Sequence, residues 1–341
     1  MRPYLLYKAP ALVLALCVLL LSACERQSGL KLEGMQGTAL WHVTLTDPPA
    51  DVAPETLQAG LEQAMATSAK RIASWDKDSE ISRFNQYQEA GWFPVSAELA
   101  ELVSMTLQLS KQSNGVYDVT IAPLIKLWGF ASHDAAKDVV PSQADIDAVL
   151  AKVGYQKLQV RLDPPALRKT QADLQVELAS VADGFAADQA GLYLESLGVR
   201  QYMVEVAGEV RARGKSPRGD AWRIAIEKPQ EEGRAIQQGV HLEDMGLATS
   251  GDYRNFFIQG GKRYSHTIDP ASGYPVTHNL ASVSVLADTA ALADGYATVL
   301  MALGEIKGKP FAEQHGVSAY FIWRKQDAFE TYATPGFAAY F

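Results

Sequence analysis

Cysteine is nearly absent from this chain: among 341 residues only Cys17 and Cys24 occur, both close to the N-terminus. A disulfide inside the body of the protein is therefore excluded, as are a thiolate zinc site and a cysteine nucleophile. No apolar run reaches the ~20 residues a membrane-spanning helix needs; the stretch from Ala9 to Leu21 is too short. Positive charge is also scarce, with 31 Lys and Arg against 39 Asp and Glu and a net charge of −8. That balance argues against nucleic acid as a partner, because its binding normally needs a basic patch. Neither a Gly-x-Gly-x-x-Gly turn nor a Walker loop is present, so nothing points to a doubly wound nucleotide domain.

What the N-terminus does contain is a secretion pattern: Arg2 and Lys8, the apolar stretch, then Leu21-Ser22-Ala23-Cys24. Cys24 after Leu-Ser-Ala resembles a bacterial lipobox, whose cysteine is lipid-modified and becomes the new terminus. The plainer alternative is a soluble secreted protein with an accidental cysteine. Residues 1–23 are expected to be a signal peptide and 24–34 a polar tether from lipidated Cys24. Residues 35–341 then form one folded body. Lipid anchoring attaches a protein to a membrane without spanning it. The expected location is the periplasmic side of the cell envelope, on the outer or inner membrane, with Glu25 favouring the outer one. Losing Arg2 and Lys8 takes the net charge from −8 to −10.

Apolar periodicity predicts helices over Pro54 to Ala73, Ala97 to Gln112, Ser142 to Val153, Gly184 to Leu197, Ala290 to Leu303 and Pro310 to Gln314, and a short one in Pro123 to Trp128. Asn114-Gly115 is a good helix stop. Asp76 to Gln88 reads as loop. Strands are predicted over Thr38–Thr44, Gln156–Leu162, Leu174–Leu178, then a block between Gln201 and Thr267, Ala281–Ala287, Val317–Trp323 and Ala328–Ala333. Strands in succession with helices inserted between groups imply an α+β fold of largely antiparallel sheets flanked by helices.

Chemistry concentrates in Ala293-Asp294-Gly295-Tyr296-Ala297-Thr298 and in Ser265-His266-Thr267-Ile268-Asp269-Pro270. On a helix, Asp294 and Thr298 share one face and present a carboxylate and a hydroxyl to one hard cation. Mg²⁺ suits such oxygen ligands and commonly retains substrate phosphates; Mn²⁺ is nearly equivalent. Taken alone, such spacing is more often that of an exposed polar face.

The ordered motifs resemble the ApbE family, the FAD:protein FMN transferases, over almost the whole mature chain. They are Gly37-Thr38, Ser74 to Asn85, Asn114 to Thr120 with Leu127-Trp128-Gly129-Phe130, Val181 to Asp188, Val206-Ala207-Gly208-Glu209, Ala248 to Asn255, Ser265 to Pro270 and Ala293 to Thr298. The resemblance implies an ApbE-like, T-fold-related body that moves FMN from FAD onto a Thr or Ser hydroxyl of an exported acceptor flavoprotein, releasing AMP. A subunit of an electron-transfer or ion-pumping complex is such an acceptor. It implies Mg²⁺ held by Asp294, Thr298 and the carbonyls of Ala297 and Ala182, the latter beside the permissive Gly184. Flavin and adenine contacts fall on Gln36, Trp75, Val116, Tyr117, Asp118, Ala179, Phe185 and Ile268.

His266 is the candidate general base for the acceptor hydroxyl, against the alternative of a histidine that hydrogen-bonds in a tight turn. Trp75 and Phe185 have core filling as their ordinary alternative. Thr249-Ser250-Gly251 and Arg254 are further phosphate candidates, each equally compatible with a turn or an exposed side chain. His42, His133, His241, His278 and His315 read as structural or solvated. Three positions depart from the family pattern: Asp183 in place of Lys or Glu, Gln36 in place of Met, and Ala207 in place of Gly. Competing functions are a metal-dependent FAD pyrophosphatase, a non-catalytic FAD-binding lipoprotein and an envelope scaffold.

Overall fold

An antiparallel eight-stranded sheet, in the order Leu30–Gln36, Ala39–Leu45, Tyr202–Val206, Glu209–Arg213, Met245–Gly251, Leu280–Ala287, Ser318–Lys325 and Ala328–Ala333, organises the computed structural model. The structure describes residues 29–341 except 90, 131–139, 231–232, 254–255 and 327. The signal segment, Cys24, the start of the tether, His133 and Arg254 therefore lie outside the described residues. In chain order the elements are β1 (Leu30–Gln36), β2 (Ala39–Leu45), α1 (Pro54–Ile72), α2 (Glu80–Gln86), β3 (Phe93–Pro94), α3 (Ala97–Gln112), α4 (Ala122–Leu127) and α5 (Gln143–Leu150). Next come β4 (Leu158–Leu162), β5 (Pro165–Lys169), α6 (Ala182–Ser196), β6 (Tyr202–Val206), β7 (Glu209–Arg213), β8 (Trp222–Glu227), β9 (Ile236–Leu242) and β10 (Met245–Gly251). The chain ends with β11 (Phe256–Gln259), β12 (Lys262–Ser265), β13 (Leu280–Ala287), α7 (Ala290–Gln314, two helical stretches joined by a kink at Gly304, φ 71°), β14 (Ser318–Lys325), β15 (Ala328–Ala333) and α8 (Pro335–Ala338). No helix among the described residues is long and apolar enough to cross a membrane.

The helices α1, α6 and α7 cover one face of the sheet. On α1, Leu57, Leu61, Met65 and Ile72 are buried, and all but Ile72 join Trp41, Val43 and Leu45 of β2 in one core cluster. Each such side chain contributes roughly 1.5–3 kcal/mol through burial. The helix α7 is apolar on more than one side because it is covered on more than one side. Ala293, Ala297, Leu300 and Met301 pack with Val283 and Val285 of β13, while Ala291 and Val299 belong to a second cluster with Leu109 and Val181. Asp294, in the first turns of this helix, is thereby held in the protein interior.

Three sequence expectations differ from the structure. The tether does not reach Gly34: Leu30–Gln36 pairs in full register with Ala39–Leu45, and Leu30 and Leu32 pack on the core around Trp41. Asp76 to Gln88 contains α2, capped by the Ser79 hydroxyl, which accepts from the Ser82 N–H. Leu174–Leu178 buries alternate residues like a strand but, among the described residues, pairs with no strand. The Asn85 amide takes the partner's place, donating to the Val176 carbonyl at 2.9 Å and accepting from its N–H at 2.8 Å.

Candidate active site

The site is built where α6 begins against the first turns of α7. Gly184 makes the approach possible: a Cβ there would lie 2.5 Å from the Ala290 carbonyl oxygen. Its role is close packing between helices, not the backbone freedom expected for it. The contact brings the Gly184 N–H 3.4 Å from Asp294 Oδ2, while the Thr298 hydroxyl donates at 3.4 Å to the Ser180 carbonyl. Asp294 and Thr298 thus point into the start of α6, one turn apart, as their spacing predicts. Asp294 is 8% exposed.

Beside this contact lies a cavity of about 490 Å³. Asp294, Thr298, Met301 and Ala302 line it from α7, Thr249 to Gly251 from β10, and Val116, Tyr117 and Asp118 from the turn after α3. The segment His266-Thr267-Ile268 closes another wall, pinned by the Ile268–Pro275 bridge and by the Asp269 N–H donating to Tyr274. The His266 ring stands edge-on to Phe130, centroids 6.5 Å apart. A cavity that combines apolar walls with a few convergent polar groups is the usual form of a small-molecule site.

Its electrostatics are one-sided. Burial pushes the Asp294 carboxyl well above the ordinary range, and Asp183 adds to the effect. Glu209, which also lines the cavity, is raised likewise, first by burial and then by Asp294 and Asp183. Burial raises Asp183 as well. Among the described residues, the buried Glu209 Oε2 has no hydrogen-bond partner and no cationic side chain pairs with any of the three. Buried carboxylates without a counter-charge are strongly unfavourable. A divalent cation fits this donor set, since hard cations prefer carboxylate, hydroxyl and carbonyl oxygens. No group of three His, Cys, Asp or Glu side chains among the described residues makes a metal cage by itself. The expected ligands require only one carboxylate, with a hydroxyl and backbone oxygens.

The sequence profile of the ApbE family matches residues 37–321. The chain belongs to the ApbE family. A Vibrio cholerae protein named FAD:protein FMN transferase is 37% identical over 327 residues, 96% of this chain and 97% of its own. The Escherichia coli K12 protein of the same name is 36% identical, over 91% of this chain and 88% of its own. Among solved structures, the flavin transferase ApbE from Vibrio cholerae superposes with a TM-score of 0.84 at 35% identity, covering 92% of this chain and 99% of that one. The apo flavinyl transferase ApbE of Pseudomonas stutzeri gives 0.82 at 38% identity, over 92% and 97%. The α+β fold of this protein is thus that of flavin transferases, and its relatives are enzymes.

The positions implied by the ApbE resemblance divide into two sets. Val116, Tyr117, Asp118, Ala179, His266, Ile268, Asp294 and Thr298 line the cavity together. Ala182 opens α6 next to it, and Ala297 is fully buried within α7 between Asp294 and Thr298. Phe185 is 6% exposed inside the core, Trp75 is 76% exposed, and Gln36 ends β1; none of the three lines the cavity. Asp118 first organises its own loop: Oδ1 accepts from the Thr120 N–H at 2.7 Å and its hydroxyl at 2.6 Å, and Oδ2 from the Tyr155 N–H at 2.8 Å. Tyr117 pairs with the Ser180 hydroxyl at 2.9 Å, and burial raises its pKa.

Sequence reasoning gave no role to Glu177, Ser180 or Glu209 in this wall. Glu177 is held by the Ser74 hydroxyl at 2.6 Å. Glu209 had one visible signal, a carboxylate at the first strand position after the Ala207-Gly208 turn. Asp188 likewise stood in a quoted motif without a role. Its two oxygens accept from the Ala290 and Ala291 N–H groups at 3.0 and 2.9 Å, capping α7 one turn before Asp294. Arg211 locks that carboxylate at 2.8 Å and also reaches Glu195 at 3.0 Å.

Proposed function

We propose that this protein transfers FMN from FAD to a threonine or serine hydroxyl of an exported flavoprotein acceptor, with one Mg²⁺ or Mn²⁺, while lipid-anchored through Cys24 on the periplasmic side of the envelope. A subunit of an electron-transfer or ion-pumping complex is the kind of acceptor meant. What carries the reading is the meeting of buried Asp294 with half-buried Thr298 and His266 on one cavity large enough for part of a dinucleotide. It draws further support from the names of the Vibrio cholerae and Escherichia coli relatives, FAD:protein FMN transferase.

Asp294 and Thr298 hold the cation, with the carbonyls of Ala182 and Ala297 as further ligands. A cation held there would supply Lewis-acid neutralisation of the pyrophosphate charge. The turn Val116 to Asp118 and the Ile268 wall hold the nucleotide, and the apolar walls from Ile121, Ile125 and Phe130 exclude water. His266 accepts the proton of the acceptor hydroxyl. The new bond joins that oxygen to the FMN phosphorus, the bond from phosphorus to the AMP oxygen breaks, and AMP leaves. Positioning supplies much of the acceleration.

The decisive assay incubates the protein with FAD, Mg²⁺ and exported proteins of the same cell, followed by in-gel flavin fluorescence and mass spectrometry. A fluorescent acceptor carrying FMN on Thr or Ser, absent with Asp294→Ala, is expected. AMP release at equal rates with and without acceptor would instead establish the pyrophosphatase. His266→Gln is expected to slow transfer about 10²–10⁴-fold at saturating Mg²⁺, as read by single-turnover kinetics.

A further inference from the structure

Glu209 is the buried polar group of the cavity that the reading above leaves unused. It starts β7, pairs with Val206 of β6 and is 9% exposed. The carboxylate lines the same cavity as Asp294 and Thr298, and among the described residues its Oε2 has no hydrogen-bond donor. The turn Ala207-Gly208 that delivers it is conformationally unfavourable, with Ala207 at φ 54°. A buried carboxylate oxygen left without a donor is destabilising. A hydrophobic residue at this inward position would avoid that penalty.

We propose that Glu209 is a second carboxylate of the cation site, gripping the divalent ion through one of its bound waters from the sheet side, opposite the helical ligand Asp294. Mg²⁺ keeps several waters and is usually held by one or two protein carboxylates. Outer carboxylates that hold a metal's ligands commonly affect affinity 10–100-fold. The assignment rests on the cation reading of Asp294, and it gives Glu209 a distinct sign: favourable to the metal, unfavourable to the bare pyrophosphate.

The test titrates Mn²⁺ into purified full-length wild type, Glu209→Gln, Glu209→Asp and Asp294→Ala, read by electron paramagnetic resonance without acceptor. FAD binding in chelator is measured beside it by flavin fluorescence. Glu209→Gln is expected to weaken Mn²⁺ binding about tenfold or more and to leave metal-free FAD binding equal or tighter. Glu209→Asp, which keeps the charge, is expected to recover part of the Mn²⁺ affinity. In chelator, thermal unfolding of Glu209→Gln is expected at or above the wild-type temperature. Wild-type Mn²⁺ affinity in Glu209→Gln, weaker metal-free FAD binding, or a lower unfolding temperature would each overturn the assignment. If Asp294→Ala loses Mn²⁺ and Glu209→Gln does not, the Glu209 assignment alone fails. If neither variant loses it, the cation reading fails with it.

Discussion

Two acidic clusters meet along α6 and are treated in opposite ways. Asp188 and Glu195 are neutralised: Arg211 bridges both, Arg213 reaches Glu195 at 2.5 Å, and the Tyr202 hydroxyl donates to Glu195 at 2.6 Å. Asp183, Asp294 and Glu209 face one another with no cationic side chain among the described residues. Burial alone does not separate the two groups, since Asp188 and Asp294 are 6% and 8% exposed. The difference lies in whether the fold supplies its own counter-charge. Where it does, the cluster fastens α6 and β7 to the start of α7. Where the described residues supply none, a cavity stands open beside the acids, and the proposed cation is the counter-charge that fits it.

The comparison can be broken by exchanging the consequences of mutation. Asp294→Asn is expected to lower transfer about a thousandfold or more, since Lewis-acid stabilisation is worth several kcal/mol, while leaving urea stability in chelator equal or higher. Asp188→Ala should do the reverse in kind: it strands Arg211 and uncaps α7, so unfolding in urea should show a loss of about 3–5 kcal/mol. A stability loss for Asp294→Asn as large as that for Asp188→Ala would erase the distinction.

A smaller effect is expected in the pH dependence of the metal-free protein. Asp294 and Glu209 have raised folded pKa values, so the unfolded chain binds fewer protons across that interval. Their contribution therefore falls as pH rises above the ordinary carboxylate range and levels off above the folded values. Burial alone would raise Glu195, but hydrogen bonds from Tyr202, Arg213 and Arg211 outweigh it and hold its pKa below the usual value. Its contribution is present above the unfolded pKa and lost as pH falls through the folded one. Chelated wild type should thus lose stability toward neutral pH in a way that Asp294→Asn flattens, while Glu195→Gln flattens the acid limb. The smallest change is at the turn before Glu209. Ala207→Gly relieves a left-handed backbone and should stabilise by about 1 kcal/mol, seen as a small rise in the urea midpoint.

Much of this arrangement was legible in residues. The four-residue spacing of Asp294 and Thr298, the Ser142 cap and the stop at Asn114-Gly115 use local rules, and the structure reproduces them. Departures came where a partner distant in sequence decides the outcome. Leu174–Leu178 carries a strand's alternation, yet its backbone pairs with the Asn85 side chain. The polar run before Gly34 resembled a tether because Lys31 and Glu33 mask the inward Leu30 and Leu32. Phe185 shares a motif with Ala182, which opens α6 beside the cavity, but faces the core, because the side chains of α6 radiate to different sides. Glu209 was visible as a residue and invisible as a wall, since only the pairing of β6 with β7 sets it toward α7.

The most direct measurement is anomalous diffraction from crystals grown with Mn²⁺ and FAD. A single strong peak is expected at about 2.0–2.2 Å from oxygens of Asp294 and Thr298, with the FAD pyrophosphate against it and His266 facing the phosphorus to be attacked. A nucleotide bound in the cavity with no peak there, or a peak remote from Asp294, would contradict the account.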